Sequence, residues 1–471
     1  MKRALFLNLP NRQRIMRRYM CSYKSPTFLF QPIELLSLAA IYRGWNCGDP
    51  VLIDAIAENI EQPELHQKIK TIAPEFIISI CGFECFEEDM AAIDEIKSEF
   101  PDTPFILFGH YATVFAEETL ENINVDYVIH GEPDIVFSEL LNAMEGKIEY
   151  ETIKGISYRK HGVPIHQKGV SRIPDPNELP IPAFDLLKNQ LYGEPFFPKP
   201  YGLIQSARGC PYQCNYCIKS FGKKLTALSP ENMVAQVQEY IDLFDIKSFR
   251  FIDDTFTAVP KRVIEFCKLL IERGINLKWS CLTRPDTLDK EMLEWMKKSG
   301  CSRLYIGMES GSQRILDFYS RNIKVNEALE NIKYCKSIGF EVMGFFIVGA
   351  PIETKEDVDK SIDFALKADF NFITIGELIA YPGTLLYERM KDDVEFSIFP
   401  YVNKFKDERL NENAYKFQRY FFRKFYFNYK TIIKTINDNV FVNHKDLLNN
   451  TYAFLNYIGS STRQQVRKDF F

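Results

Sequence analysis

Three cysteines stand together in Arg208-Gly209-Cys210-Pro211-Tyr212-Gln213-Cys214-Asn215-Tyr216-Cys217. Spacing of the form C-x3-C-x2-C lets one loop wrap around a small inorganic centre. Thiolates are the usual ligands of iron–sulfur clusters, which normally take four of them. Three would leave one iron open to a ligand that is not protein. A zinc ion would normally be closed by a fourth Cys or His, and none follows nearby. Three packed thiols that happen to lie close are the remaining reading. The other cysteines carry less chemistry. Eleven is an odd number in a long chain without a secretory signal, which argues against a disulfide framework. Cys47, Cys267, Cys281, Cys301 and Cys335 sit in apolar surroundings and read as small hydrophobes. Cys81-Gly82-Phe83-Glu84-Cys85 has no neighbouring histidine and reads as packing.

The triplet directly follows an apolar run, Gly202–Ser206, and five more such runs come after it: Phe249–Ile252, Leu277–Cys281, Leu304–Gly307, Val342–Val348 and Phe372–Leu378. Helical segments separate them. Ser229-Pro230-Glu231 opens one with a capping serine and a proline at the first helical position, and Thr354-Lys355-Glu356-Asp357 caps another. Gly274, Gly300 and Gly339 each stop one. Six βα units over 201–390 predict a partial (β/α)6 barrel of TIM type, whose active site lies at the carboxyl ends of the strands. The triplet falls at such an end, and so do Asp253, Asp254, Arg284, Glu309 and Glu353. They should converge on one mouth. A non-catalytic iron–sulfur or zinc-binding module would need no such convergence.

Residues 1–148 show the same alternation. Strand candidates are Ala4–Leu9, Val51–Asp54, Phe76–Cys81, Phe105–Phe108 and Tyr127–Ile129, with helices at Pro32–Arg43, Glu64–Ile72, Glu87–Phe100 and Ile135–Met144. Continuous apolar strands between helices predict a Rossmann-like parallel sheet of about five strands. Residues 149–200 read as a separate hairpin followed by a proline-rich linker, extended and not packed. Residues 391–471 read as a helical C-terminal region. Over 404–434, nine Lys/Arg stand against three Asp/Glu, a local charge of +6 beside the aromatic run Tyr420–Phe427.

Composition sets the outer bounds. The 471 residues suit two or three domains. A hydrophobic fraction of 46% with 26% charged residues excludes global disorder. A net charge of −5 gives no general reason to expect nucleic acid. The apolar stretch Val342 to Ile352 is too short to span a bilayer, and the N-terminal run reads as a strand rather than a signal peptide. A cytoplasmic protein is expected.

The cysteine loop closely resembles the signature of the radical S-adenosylmethionine (SAM) superfamily, C-x3-C-x-aromatic-C, with Tyr216 at the aromatic position. The resemblance runs along the barrel through Phe251-Ile252-Asp253-Asp254-Thr255-Phe256, Tyr305-Ile306-Gly307-Met308-Glu309-Ser310-Gly311-Ser312, Gly349-Ala350-Pro351-Ile352-Glu353-Thr354 and Tyr381-Pro382-Gly383-Thr384. Ile352 stands where the family has glycine. The resemblance implies a 4Fe–4S cluster on Cys210, Cys214 and Cys217, with SAM on the open iron. It also implies reductive cleavage of SAM to methionine and a 5′-deoxyadenosyl radical. On this reading Asp253 or Asp254 takes the ammonium of SAM, Glu309 and Ser310 the ribose hydroxyls, and Arg284 the carboxylate.

The first unit and the linker Ile173–Pro182 resemble those of cobalamin-dependent members of the superfamily. Gly109-His110-Tyr111-Ala112-Thr113 and Gly131-Glu132-Pro133-Asp134 are similar to two segments of that cobalamin-binding domain, which implicates Gly109, Tyr111, Gly131 and Glu132. The Asp-x-His-x-x-Gly motif that ligates cobalt from below is missing: Asp54-Ala55-Ile56-Ala57-Glu58-Asn59 carries isoleucine in place of histidine. The resemblance therefore implies a cobalamin-dependent methyltransferase of an unactivated carbon, or a radical rearrangement, cyclisation or oxidation. It implies an external electron donor such as flavodoxin or ferredoxin and a small-molecule or lipid-like substrate. Arg12, Arg14, Arg17, Arg18 and Lys24, with the basic C-terminal region, would also suit peripheral contact with an anionic membrane.

Overall fold

Short apolar strands alternating with amphipathic helices build two parallel sheets in sequence order. The structure, a computed structural model, describes residues 2–428 except 20–21, 25–27, 46–47, 195–196, 220 and 399–400. In the first unit, β1 (Arg3–Asn8), β2 (Asp49–Asp54), β3 (Ile77–Ile80), β4 (Phe105–Phe108) and β5 (Tyr127–Ile129) pair in parallel in the order β2-β1-β3-β4-β5. Strand β1 shows why the runs are continuously apolar. Leu5 and Leu7 enter the core on one face, and Ala4 and Phe6 enter a second core on the other. The hairpin β6 (Ile156–Lys160) and β7 (Val163–His166) is not a separate element. It adds antiparallel to β5 and extends the sheet to seven strands, burying Ile156 and Tyr158 beside Ile129.

The proline-rich segment also differs from expectation. Proline has no amide hydrogen and cannot join a ladder, yet the aromatic and aliphatic residues between the prolines are buried. Phe184, Leu187, Tyr192 and Phe197 join the barrel core, and Phe184 stacks on Tyr240 at 3.9 Å. The Tyr192 hydroxyl donates to Asp54 at 2.9 Å, tying this segment to the first sheet.

The second sheet contains β8 (Tyr201–Ile204), β9 (Ser248–Phe251), β10 (Lys278–Thr283), β11 (Cys301–Glu309), β12 (Glu341–Val348) and β13 (Phe372–Glu377), consecutive and all parallel. Phe249, Phe251, Trp279 and Cys281 pack outward with Val263, Phe266 and Cys267 of the helix Pro260–Glu272. By the two-residue period of a strand, Arg250 and Ser280 face the lumen.

The region after 390 starts as a hairpin, Val394–Ser397 with Val402–Phe405, before the helix Glu408–Tyr426. Its aromatic run packs on the barrel: Phe421 lies 5.0 Å from Phe346, and the Tyr426 hydroxyl bonds both the N–H and the carbonyl of Ile373. Residues 429–471, including Lys430 and Lys434, lie outside the described residues, as does Cys47. The N-terminal basic run is not an open patch. Arg17 is fully buried and pairs with Asp89, and Arg18 pairs with Glu34 at 2.7 Å. Arg12 and Arg14 are exposed. Among the described residues no helix is long and apolar enough to cross a membrane.

Candidate active site

The cysteine loop leaves β8 through Gln205 and Ser206, and Asp253 pins it there. The Asp253 carboxylate accepts from the Ser206 N–H at 2.6 Å, the Ala207 N–H at 3.0 Å and the Ser206 hydroxyl at 2.5 Å, with Arg262 at 4.0 Å. Gly209 has φ +81°, and a Cβ there would collide with the Lys224 carbonyl. The Cys210 N–H then bonds the Gly222 carbonyl. Asn215 anchors the far side: its N–H donates to Tyr319, its amide to Phe318, and its carbonyl accepts from Leu386.

The three thiols are free. Among the described residues no three His, Cys, Asp or Glu side chains are gathered around one point where a single ion could sit. The donor set, three cysteines on one short loop, fits an iron–sulfur cluster, whose usual ligands are thiolates. Burial pushes the Cys210 and Cys217 thiols up, with nearby Asp254 adding to it. A bound metal reverses this, since a coordinating thiol is deprotonated. Arg284 donates to the Cys214 sulfur at 3.3 Å and Arg321 approaches it at 3.6 Å.

Several expected SAM ligands have other work. Asp253 has its oxygens committed under the loop. Ser310 is fully buried, pairs with the Ser361 hydroxyl at 3.1 Å and accepts from the Ser312 N–H. Arg284 is forked onto Asp286 at 2.9 and 2.8 Å and stacks on Tyr212 at 3.8 Å. All three side chains are held by protein partners at the mouth. Asp254 differs: its half-buried carboxylate makes no protein hydrogen bond, and burial followed by repulsion from Asp253 pushes it up to about 7. Glu309 sits at a register shift at the end of β11 with φ +67°, a left-handed conformation that a glutamate rarely adopts. It turns the carboxylate toward Arg321 at 3.2 Å, and burial raises its pKa against the pull of that arginine. Glu353 accepts from the Gly349 N–H with one oxygen, has the other unpartnered, and is pushed up to about 7 by burial. The departure at Ile352 is tolerated because the side chain is exposed and its backbone is not left-handed.

Arg321 is the residue that sequence reading missed. It bonds the Tyr216 hydroxyl at 2.8 Å and the Gly307 carbonyl, besides Glu309 and Cys214. Tyr216, packed edge-on against Tyr319 at 5.0 Å, thus joins the cysteine loop to the end of β11. The Nε of Arg321 and the Tyr319 hydroxyl are buried without partners, which leaves polar capacity at the mouth for a bound group. The only signal in the sequence was a basic residue beside a turn.

The carboxyl ends of the two sheets face each other. Arg208, just before the cysteine loop, forms an ion pair with Asp134 of the first unit and lies over Phe221, which stacks on Tyr19 at 4.5 Å. Ile218, next to Cys217, packs in the core of the first unit. Phe83 lies 5.1 Å from Tyr381. At this edge Gly109 (φ +120°) is crowded by the Cys81 carbonyl and Gly131 (φ +65°) by Val170, so both shape the edge. Glu132 accepts from the Ile173 N–H. The buried Tyr111 hydroxyl has no partner. Ile56 is buried in the core.

Residues 204–365 match the family model described as the radical SAM superfamily. A Pyrococcus horikoshii protein named an uncharacterized methyltransferase is 31% identical over 361 residues, covering 76% of this chain and 78% of that one. The anaerobic magnesium-protoporphyrin IX monomethyl ester cyclase of Cereibacter sphaeroides is 24% identical over 401 residues, covering 80% of this chain and 64% of that relative. The structure of the cobalamin-dependent SAM radical enzyme OxsB, with aqua-cobalamin and SAM bound, superposes with a TM-score of 0.77 at 15% identity. It covers 97% of this chain and 71% of that chain, and at that identity the likeness is one of fold.

Proposed function

The chain belongs to the radical SAM superfamily, and we propose that within it this protein transfers a methyl group to an unactivated carbon with the help of cobalamin. The observation that carries the reading is the mouth: three free thiols on one loop at the carboxyl end of β8, beside the unbonded carboxylate of Asp254 and the turned-in Glu309. When bound, the cluster and SAM supply reductive carbon–sulfur cleavage, and cobalamin supplies a methyl carrier. The chain's own residues do the rest. Cys210, Cys214 and Cys217 hold the cluster, with Arg284 and Arg321 directing N–H groups at Cys214. Asp254 accepts the SAM ammonium. Glu309 faces the ribose hydroxyls, and Arg321 keeps it oriented. The free oxygen of Glu353 is a further acceptor.

For cobalamin, the facing sheet edges support a place between the two units, where ligands of open parallel sheets bind. The Tyr111 hydroxyl is available to it, and Gly109, Gly131 and Glu132 shape the edge. Ile56 offers no ligand to the lower face of cobalt. The name of the Cereibacter relative favours a second reading, radical cyclisation without methyl transfer. A small-molecule substrate and an external one-electron donor, such as flavodoxin or ferredoxin, complete the system. The cytoplasm suits a chain whose described cysteines are all free. Peripheral contact with an anionic membrane would rest on Arg12 and Arg14, since Arg17 and Arg18 are already paired.

The test is anaerobic reconstitution. One 4Fe–4S cluster per chain and reductive formation of 5′-deoxyadenosine are expected, both lost when the three cysteines become alanine. Retained 5′-deoxyadenosine formation in that variant refutes the cluster assignment. Electron paramagnetic resonance of the cob(II)alamin form should lack imidazole superhyperfine splitting. Failure to take up cobalamin refutes the role of the first unit.

A further inference from the structure

The outer side of the cysteine loop is a basic surface that the chemistry at the mouth leaves unused. Residues 197–230 contain Lys199, Arg208, Lys219, Lys223 and Lys224 and no Asp or Glu. Arg208 is neutralised by Asp134 of the first unit. Lys223 and Lys224 are exposed at the turn that follows the loop. Exposed Arg172, from the linker, lies against Gly222 in that turn, with its guanidinium where a Cβ on Gly222 would stand. Half-buried Lys219 donates to the Tyr212 carbonyl, a neutral partner that holds its charge beside the loop between Cys210 and Cys214. The buried Glu132 carboxylate feels Arg208 more strongly than Arg172. Asp175 and Glu178 are exposed in the next turn of the linker, which Asp175 caps. Even counting both, the four cations Arg172, Lys219, Lys223 and Lys224 leave the surface positive.

This surface is also a short way to the thiols. The Cys210 N–H donates to the Gly222 carbonyl at 3.2 Å, so one hydrogen bond joins a cluster-binding residue to the basic turn. Pro211 and Gln213, on the same loop, are exposed. The side toward the first unit is closed to a protein. Ile218 packs in the core of that unit, and Arg208 and Phe221 are held against Asp134 and Tyr19. A macromolecule that approaches the thiols therefore meets the loop from outside.

We propose that Arg172, Lys219, Lys223 and Lys224 form the docking surface for a small acidic electron-carrier protein, which delivers one electron through the loop 210–222. The carrier is oxidised by one electron and the bound cluster is reduced by one; docking itself forms and breaks no bond. This rests on the radical SAM reading above and specifies where its one-electron donor meets the chain. Opposite charges on two such surfaces speed their encounter, and the effect falls steeply with salt. Electron-transfer partners bury little area and part readily, so charge rather than an apolar groove is what such a surface needs.

The test titrates reconstituted holoenzyme, anaerobically, with flavodoxin and with ferredoxin by calorimetry. At least one of the two should bind. Its affinity should fall about tenfold or more between about 10 mM and about 150 mM ionic strength, where the screening length shrinks from ~30 Å to ~8 Å. The triple variant Arg172→Glu, Lys223→Glu, Lys224→Glu should weaken low-salt binding by about tenfold or more. The pair Lys223→Glu, Lys224→Glu should weaken it severalfold, and it decides the matter if the triple variant does not fold. Lys278→Glu, exposed at the amino end of β10 and so at the far end of the barrel, should bind as the wild type does. Reduced carrier should reduce the cluster more slowly in the charge-reversed variants, followed by visible absorbance, whereas reduced methyl viologen, a small cation, should be no slower. Absence of binding by both carriers overturns the proposal, and so does binding that is indifferent to salt or unchanged by charge reversal. 5′-Deoxyadenosine formation driven by reduced methyl viologen scores the radical SAM reading separately. If it is absent while salt-sensitive docking persists, that reading fails and the docking surface stands.

Discussion

Replacing Asp253 distinguishes a residue that binds SAM from one that builds the loop. Asp253→Ala strips the acceptor from the Ser206 and Ala207 N–H groups, both buried, and from the Ser206 hydroxyl. Arg262 still donates to the hydroxyl oxygen at 2.5 Å but cannot accept its proton, so the hydroxyl and two backbone donors all lose their acceptor. Each buried unsatisfied donor costs about 1–3 kcal/mol. With the lost attraction to Arg262, the expected destabilisation is about 4 kcal/mol, a large share of the roughly 5–15 kcal/mol that holds a domain folded. Asp253→Asn keeps one acceptor and should cost about half as much. Urea unfolding of the apoprotein, followed by tryptophan fluorescence, reads this directly because Trp279 lies in the barrel core. Iron content after reconstitution should fall in the same order. An unchanged midpoint and full cluster content, with only SAM affinity lost, would show that Asp253 is a ligand and that its bonds to the loop are dispensable.

Gly209→Ala should lower cluster occupancy several-fold while leaving the first sheet intact, because the φ of +81° and the Lys224 carbonyl leave no room for a Cβ; normal iron content would count against that geometry. Asp254 and Glu353 both have pKa values raised by burial to about 7, so the folded apoprotein binds protons that the unfolded chain releases. Stability contributed by the neutral forms is therefore present below the ordinary carboxylate range and is lost as pH rises toward 7 and just above. The apoprotein should melt at lower temperature at pH 8 than at pH 5, and the difference should shrink in the Asp254→Asn, Glu353→Gln double variant. A pH trend identical in that variant would refute the assignment. Tyr426→Phe removes both bonds to Ile373 and should cost about 1–3 kcal/mol by chemical denaturation, against near zero if the helix is held by Phe421 alone.

The cluster loop was legible because its three thiols lie within a few residues of chain, and the barrel because strand and helix periods alternate without interruption. Side-chain direction was not. A position just past a strand puts a residue at the mouth, but it does not say which way the side chain turns. Asp253 turns back under the loop, Ser310 turns toward Ser361, and Asp254 faces the cysteines. Arg321 reaches the same point from beyond the helix Gln313–Phe318, a tertiary approach with no periodic trace. Proline has no amide hydrogen to give a ladder, and the prolines between 173 and 200 therefore read as an extended linker. That reading could not show that Phe184 and Tyr192 would be drawn into cores on either side. The hairpin β6–β7 was read correctly as a hairpin, but its apolar face was a sign that it needed a sheet to cover it.

The helix Glu408–Tyr426 does more than fill space. Strand β13 ends an open six-stranded sheet, and a bare strand edge is a template for pairing with another copy of the chain. Tyr426 occupies the N–H and carbonyl of Ile373, and Gln418 occupies the carbonyl of Ile375. Two side chains from one helix thus replace the hydrogen bonds of a missing neighbour. They make the last strand a poor nucleus for aggregation, a safeguard that a protein truncated before Glu408 would lack.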